Sequence, residues 1–245
     1  MQVALFIPCY IDQFYPNVGI ASLQLLEKLG CDVSFPLEQT CCGQPMANSG
    51  FASLSKGCDA NFVKNFTGFD YIVAPSGSCV FHIKEHLHDD KHPLEAEKIR
   101  NTVYELTEFL VDVLKVKNIK ARFPFKVGLH NSCHGQRMLH LSSMSERVLP
   151  YFSKPEQLLN MVEDIQLLKP KRNDECCGFG GTFCVFEEAV SVKMGKDRIS
   201  QHEANDVDYI TGVDTSCLMH LEGILNRQGN KIKTIHIAEI LINNI

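Results

Sequence analysis

The sequence has no run of the about 18 consecutive apolar residues that a membrane-spanning helix needs. Its most hydrophobic helical candidates, Leu106 to Val116 and Ile235 to Ile242, carry acids, so no membrane span is expected. A basic stripe is missing as well. The net charge is -5 with Lys and Arg scattered, which removes the electrostatic footprint of a nucleic-acid binder, and no nucleic acid is expected as a partner. The amino-terminal Met1-Gln2-Val3-Ala4-Leu5-Phe6-Ile7-Pro8-Cys9 has no positive n-region and only a short apolar stretch. It suits a first β-strand better than a secretory signal, and cytoplasmic localisation is expected. Also absent are any Cys-x-x-Cys knuckle of the zinc type, any ferredoxin-type Cys-x2-Cys-x2-Cys-x3-Cys-Pro run and a convincing flavin loop.

Cysteine, in contrast, is plentiful. Eleven in 245 residues fall short of the roughly 8–10% of a disulfide scaffold, yet exceed the usage of an average cytosolic protein. In a reducing compartment such a count points to metal ligation or redox chemistry, and the odd total argues the same way.

The chain reads as one unit written twice. A strand over Val3 to Pro8 ends at Cys9. Tyr15 to Leu29 follows with Val18, Ala21, Leu25, Leu26 and Leu29 at helical spacing, stopped by Gly30. An extended segment, Cys31 to Phe35, leads to Cys41-Cys42-Gly43, a helix over Phe51 to Phe66, a strand over Tyr71 to Ala74, and an exit loop that delivers Cys79. Helical text around Val103 to Val116 closes the unit. From Phe125 the order recurs: a strand over Lys126 to His130, Cys133, a helix around Ser145 to Phe152, and apolar text at Ile165 to Leu168. Cys176-Cys177-Gly178, a helix over Val185 to His202, a strand over Asp208 to Thr211 and a loop delivering Cys217 complete it. Glu105-Leu106-Thr107-Glu108-Phe109-Leu110 lies opposite His236-Ile237-Ala238-Glu239-Ile240-Leu241. The expected fold class is α/β, as two tandem, pseudo-symmetric units (1–118 and 125–245) with mostly parallel sheets, whose strand-end loops carry the chemistry. The boundary is the short charged segment Lys115 to Pro124.

Eight of the eleven cysteines fit the duplicated pattern. Cys9, Cys41, Cys42 and Cys79 form one set; Cys133, Cys176, Cys177 and Cys217 form the other. These eight are the candidate metal and cofactor ligands. Adjacent cysteines chelate one small tetrahedral ion awkwardly, whereas a multi-iron cluster offers separate irons to neighbouring thiolates, and four thiolates per site suffice. Gly178-Phe179-Gly180-Gly181 lets backbone N–H groups approach a cluster's negative charge. As a dinucleotide loop the same stretch fails, since it follows cysteines and lacks the fingerprint spacing. Cys133-His134 with His130 nearby could pair a thiol nucleophile with a base, but the repeat makes Cys133 the counterpart of Cys9. Cys31 and Cys58 read as core packing; Cys184 reads as packing or as an extra ligand.

At these motifs the chain resembles the cysteine-rich Cys-Cys-Gly domain family, which is found in heterodisulfide reductase and in the iron–sulfur subunit of glycolate oxidase. The text around Cys176 to Phe183 and His236 to Leu241 is most similar to the lactate utilisation protein A group. The resemblance implies an iron–sulfur subunit of a multi-subunit oxidoreductase that carries electrons from a 2-hydroxy acid such as L-lactate. Its expected partners are other iron–sulfur subunits, one with ferredoxin-type clusters. In the family the last motif can be Cys-x-x-Cys, giving five thiolates; here the earlier position is Ser76 in one copy and Asp214 in the other. A 4Fe-4S cluster in each copy, a cluster in only one, and zinc at one site all stay open, as does a non-enzymatic protein with structural zinc or clusters.

Overall fold

Short apolar runs alternating with longer helical segments bury best as parallel strands covered by helices. In the computed structural model, which describes residues 1–243, they form two four-stranded parallel sheets. Residues 244 and 245, the end of the second expected unit, lie outside the described residues. The first half runs β1 (Gln2–Leu5), α1 (Cys9–Phe14), α2 (Pro16–Lys28), β2 (Asp32–Ser34), α3 (Gln44–Asn48), α4 (Lys56–Phe66), β3 (Tyr71–Ala74), α5 (Gly77–His86), α6 (Pro93–Thr102), β4 (Val103–Glu105) and α7 (Leu106–Glu108). The second runs β5 (Lys126–Leu129), α8 (Lys154–Leu159), β6 (Gln166–Leu168), α9 (Phe183–Phe186), α10 (Glu188–Glu203), β7 (Tyr209–Gly212), α11 (Thr215–Gln228), β8 (Lys233–His236) and α12 (Ile237–Ile242). Wider helical turns over Phe109–Val113 and His134–Met138 close hydrogen bonds five residues apart, as from Leu114 N–H to the Phe109 carbonyl.

The strand orders are β2-β1-β3-β4 and β6-β5-β7-β8, so each sheet reverses direction of winding between its two central strands. Ligands in such sheets bind in the crevice beyond the strand carboxyl ends at that reversal. Cys9 and Cys79 leave β1 and β3 there, and Cys133 and Cys217 leave β5 and β7. The halves interlock with approximate twofold symmetry. Helix α12 packs on α2, and α7 on α8, so each half's closing helix covers an early helix of the other. Likewise α1 meets α11, while α5 meets the turn after Cys133. The larger apolar cluster among the described residues runs from Val3 and Leu26 to Ile240 and Leu241, and a smaller one joins Cys177, Ile199, Ile210 and Leu221.

Three local expectations change. Val103–Glu105, read as the start of a helix, is instead the edge strand β4; its mirror β8 has no counterpart among the expected strands. Glu105 and His236 then open α7 and α12 through matching capping boxes with Glu108 and Glu239. The helix expected around Ser145 to Phe152 is loop, closed at its base by an antiparallel bridge between Ser142 and Ser153. The helix begins only at Lys154, where the Ser153 hydroxyl accepts from Glu156 N–H. Cys79 and Cys217 sit in the first turns of α5 and α11, not in loops.

Candidate metal centre

All eight repeated cysteines line one cleft of about 230 Å³ between the halves. In the first copy Cys9 and Cys41 stand 3.7 Å apart, sulfur to sulfur. Backbone N–H groups reach the sulfur atoms of both copies: Gly43 to Cys41 (3.4 Å), Gly178 to Cys176 (3.4 Å) and Phe179 to Cys177 (3.5 Å). The glycine of each Cys-Cys-Gly follows from this geometry. Gly43 and Gly178 have φ of +86° and +90°, which L side chains rarely adopt. A Cβ on Gly43 would lie 2.8 Å from Ser55 Cβ, and on Gly178 2.5 Å from the Ser191 carbonyl oxygen.

Among the described residues, none of the eleven cysteines is in a disulfide. Hydrogen bonds from Cys42 and Cys9, then from Gly43 N–H, pull Cys41 down to about 2; those from Cys133 and Cys177, then from Gly178 N–H, pull Cys176 down to about 2. Donation to these anions, followed by burial, pushes Cys9, Cys42, Cys133 and Cys177 upward. Four crowded sulfur atoms per copy, with anion-favouring N–H groups around them, form a donor set that fits a thiolate-bound metal or iron–sulfur group; binding would release the remaining protons.

Ser76 and Asp214, the positions where a fifth thiolate would stand, meet each other between the copies. Ser76 Oγ donates to Asp214 Oδ1 (3.0 Å), and the same oxygen accepts from Ser78 N–H (2.9 Å), so Asp214 helps to cap α5 across the interface. Cys31 is buried in the core. Cys58 packs near Gly43, and Cys184 Sγ reaches the Gly181 carbonyl at 3.0 Å; neither Cys58 nor Cys184 lines the cleft.

Three histidines beside the sulfur atoms are not among the residues the sequence marks as the site. His82 and His220 each lie three residues after the last cysteine of their copy, near Cys41 and Cys176. That shared spacing is the signal that could have found them. Burial lowers His82 to about 4 and lowers His220 from the ordinary imidazole value, so both are neutral near pH 7. His130, considered in the sequence only as a base, has a ring nitrogen within 4.8 Å of the sulfur atoms of Cys177 and Cys217.

A model of the cysteine-rich domain family matches residues 3–84 and again 127–222. The chain is 41% identical to lactate utilization protein A of Geobacillus thermodenitrificans, over 98% of both chains. It is 40% identical to lactate utilization protein A of Geobacillus sp. strain WCH70, over 98% of this chain and 99% of that one. The protein of that name from Macrococcus caseolyticus is 39% identical over 100% of this chain and 98% of its own.

Proposed function

Because the chain belongs to the cysteine-rich domain family, we propose that it is an iron–sulfur electron carrier of a multi-protein lactate-utilisation system, with one centre held by each cysteine set. The observation that carries this reading is the convergence of two equivalent four-cysteine sets on one cleft. Bound there, iron–sulfur clusters would take up and release single electrons. The chain's own contribution is ligation and environment. Cys9, Cys41, Cys42 and Cys79 hold the first centre, and Cys133, Cys176, Cys177 and Cys217 the second. The N–H groups of Gly43, Gly178 and Phe179 offset negative charge on the thiolates, and the shared cleft keeps the two centres close.

Nothing in the cleft offers a flavin loop, so lactate oxidation belongs to the assembled system. The partner docks at the Gly178 to Cys184 surface, next to which Val185 and Phe186 are 72% and 78% exposed. The isolated chain should not oxidise lactate with an artificial acceptor, and activity should appear on adding the other components of the system. Robust oxidation by the purified chain alone would overturn this assignment.

A second reading has its own observation. The 3.7 Å between Cys9 and Cys41 matches two thiolates on one tetrahedral ion with metal–sulfur bonds of about 2.3 Å, which favours structural zinc in the first copy. Zinc there has no electron to accept.

A further inference from the structure

The two copies differ most in what lies behind the sulfur atoms. Three residues before the first cysteine, the first copy has Phe6 and the second His130. Seven and eleven residues beyond the serine that packs on the Cys-Cys-Gly glycine, the first has Phe62 and Phe66, and the second Arg198 and His202. In the first copy these residues form an aromatic cluster, with Phe6 centred 5.0 Å from Phe62 and 5.6 Å from Phe66. In the second they form a buried polar chain. Arg198, 0% exposed, donates through Nε to His130 Nδ1 (3.1 Å), through Nη1 to the Arg172 carbonyl (2.6 Å) and through Nη2 to the Leu129 carbonyl (3.1 Å). His202 packs against Gly128, whose missing Cβ leaves room for the ring.

This arrangement fixes the tautomer of His130. A guanidinium only donates, so Nδ1 must be the acceptor, and a neutral ring then carries its hydrogen on Nε2. That atom is buried, in a residue 1% exposed, and has no partner among the described residues. Metal ligation through Nε2 would require an imidazolate and ligation through Nδ1 would displace Arg198, although His130, Cys177 and Cys217 cluster closely enough for a ligand triad. The His130 ring has a nitrogen within 4.8 Å of the Cys177 and Cys217 sulfur atoms, and a buried N–H left unpaired on that ring gains a partner by turning to those atoms when a bound centre makes them anionic.

Building on the iron–sulfur reading, we infer that His130 is an N–H donor to the sulfur atoms of the second centre, oriented by Arg198, and that it raises this centre's reduction potential above what the apolar surroundings of the first copy would give. Reduction adds negative charge, which a donor and a buried cation favour. The Asp214 carboxylate lines the cleft where the first copy has Ser76, accepts from Ser76 and Ser78, and is untouched by a change at His130. The Glu175 carboxylate is engaged by Arg172 (3.0 Å) and Gln201, while Arg137 approaches Cys133 where the first copy has Gln13. His82 and His220 occur in both copies and drop out of the comparison.

The test is an anaerobic redox titration of the reconstituted full chain, followed by paramagnetic resonance, with Cys176→Ser identifying the second centre's signal by its loss. His130→Phe, which installs the first copy's residue, should lower that centre's potential by at least about tenfold in the reduction equilibrium, ~59 mV for one electron, at unchanged iron content. His130→Gln keeps an N–H donor and should stay near wild type. An unmoved potential in His130→Phe, an equal shift of both centres, or His130→Gln falling as far as His130→Phe would overturn the inference. Should His130→Phe fail to fold, His130→Leu removes the donor with a smaller side chain and is read against His130→Gln in the same way: an unmoved potential of the Cys176-dependent signal overturns the inference while leaving the iron–sulfur reading intact. Iron absent from the wild type would fail that reading itself and take the inference with it.

Discussion

Replacing Gly178 by Ala imposes two penalties that a control can separate. The first is conformational: a φ of +90° costs an L residue about 1–2 kcal/mol. The second is steric, because the new Cβ would lie 2.5 Å from the Ser191 carbonyl oxygen and 2.9 Å from Met194 Cβ. Both neighbours belong to α10, and a helix carbonyl cannot swing aside as a flexible side chain can. Overpacking of this kind costs about 1–3 kcal/mol, giving about 2–5 kcal/mol in all. Gly30 has nearly the same φ, +85°, with nothing within 4 Å of its would-be Cβ, so Gly30→Ala carries the conformational penalty alone. Denaturant unfolding of both variants under anaerobic conditions should place Gly178→Ala at least about 1 kcal/mol below Gly30→Ala. Because the shift displaces the N–H groups on Cys176 and Cys177, Gly178→Ala should also lose metal from the second site while Gly30→Ala keeps the wild-type content. Equal destabilisation by the two substitutions, with metal content unchanged, would refute the account of the Cys-Cys-Gly glycine.

Replacing Cys176 or Cys177 by Ser should empty the second site and leave the first, whereas Cys31→Ser and Cys58→Ser should keep metal content near wild type; equal loss from both classes would overturn the division into eight ligands and three packing residues. A pH-dependent effect is expected at Glu105, which is fully buried. Burial raises its carboxyl to about 8, against the opposing hydrogen bonds from Thr107 and Glu108. Folding therefore takes up a proton between the ordinary carboxyl range and pH 8: the stabilisation is complete below the unfolded pKa and is lost as pH rises through the folded one. Relative to Glu105→Gln, which cannot titrate, the wild type should lose about 1.5 kcal/mol of unfolding free energy between pH 6.5 and 8. Parallel profiles would show that Glu105 is not held protonated.

The order of strands, helices and cysteines was legible because the text repeats: a second Cys-Cys-Gly in an equivalent place identifies the first. Central strands such as Tyr71–Ala74 stood out as apolar runs. The edge strands did not. Val103–Glu105 is three residues long and runs straight into the capping box of α7, so its text blends with helical text, and Lys233–His236 has Ile235 as its one apolar residue. The loop in place of a helix at Ser145 to Phe152 was readable in principle: Pro150 interrupts the segment, and Ser153-Lys154-Pro155-Glu156 is a helix-start signal. The four cysteines of each copy could be grouped from spacing, but the convergence of both groups on one cleft depends on how α1 meets α11 and α5 meets the turn after Cys133. His130, Arg198 and His202 were invisible as a set for the same reason, since only the tertiary fold brings residues 68 positions apart into hydrogen-bonding distance.

The measurement that bears most directly on the central claim is the iron, acid-labile sulfide and zinc content of the protein purified without oxygen. The account predicts a brown protein containing iron and sulfide that bleaches on exposure to air, with Cys176→Ser losing the second site's share. Zinc alone, with no iron retained after anaerobic reconstitution, would contradict it.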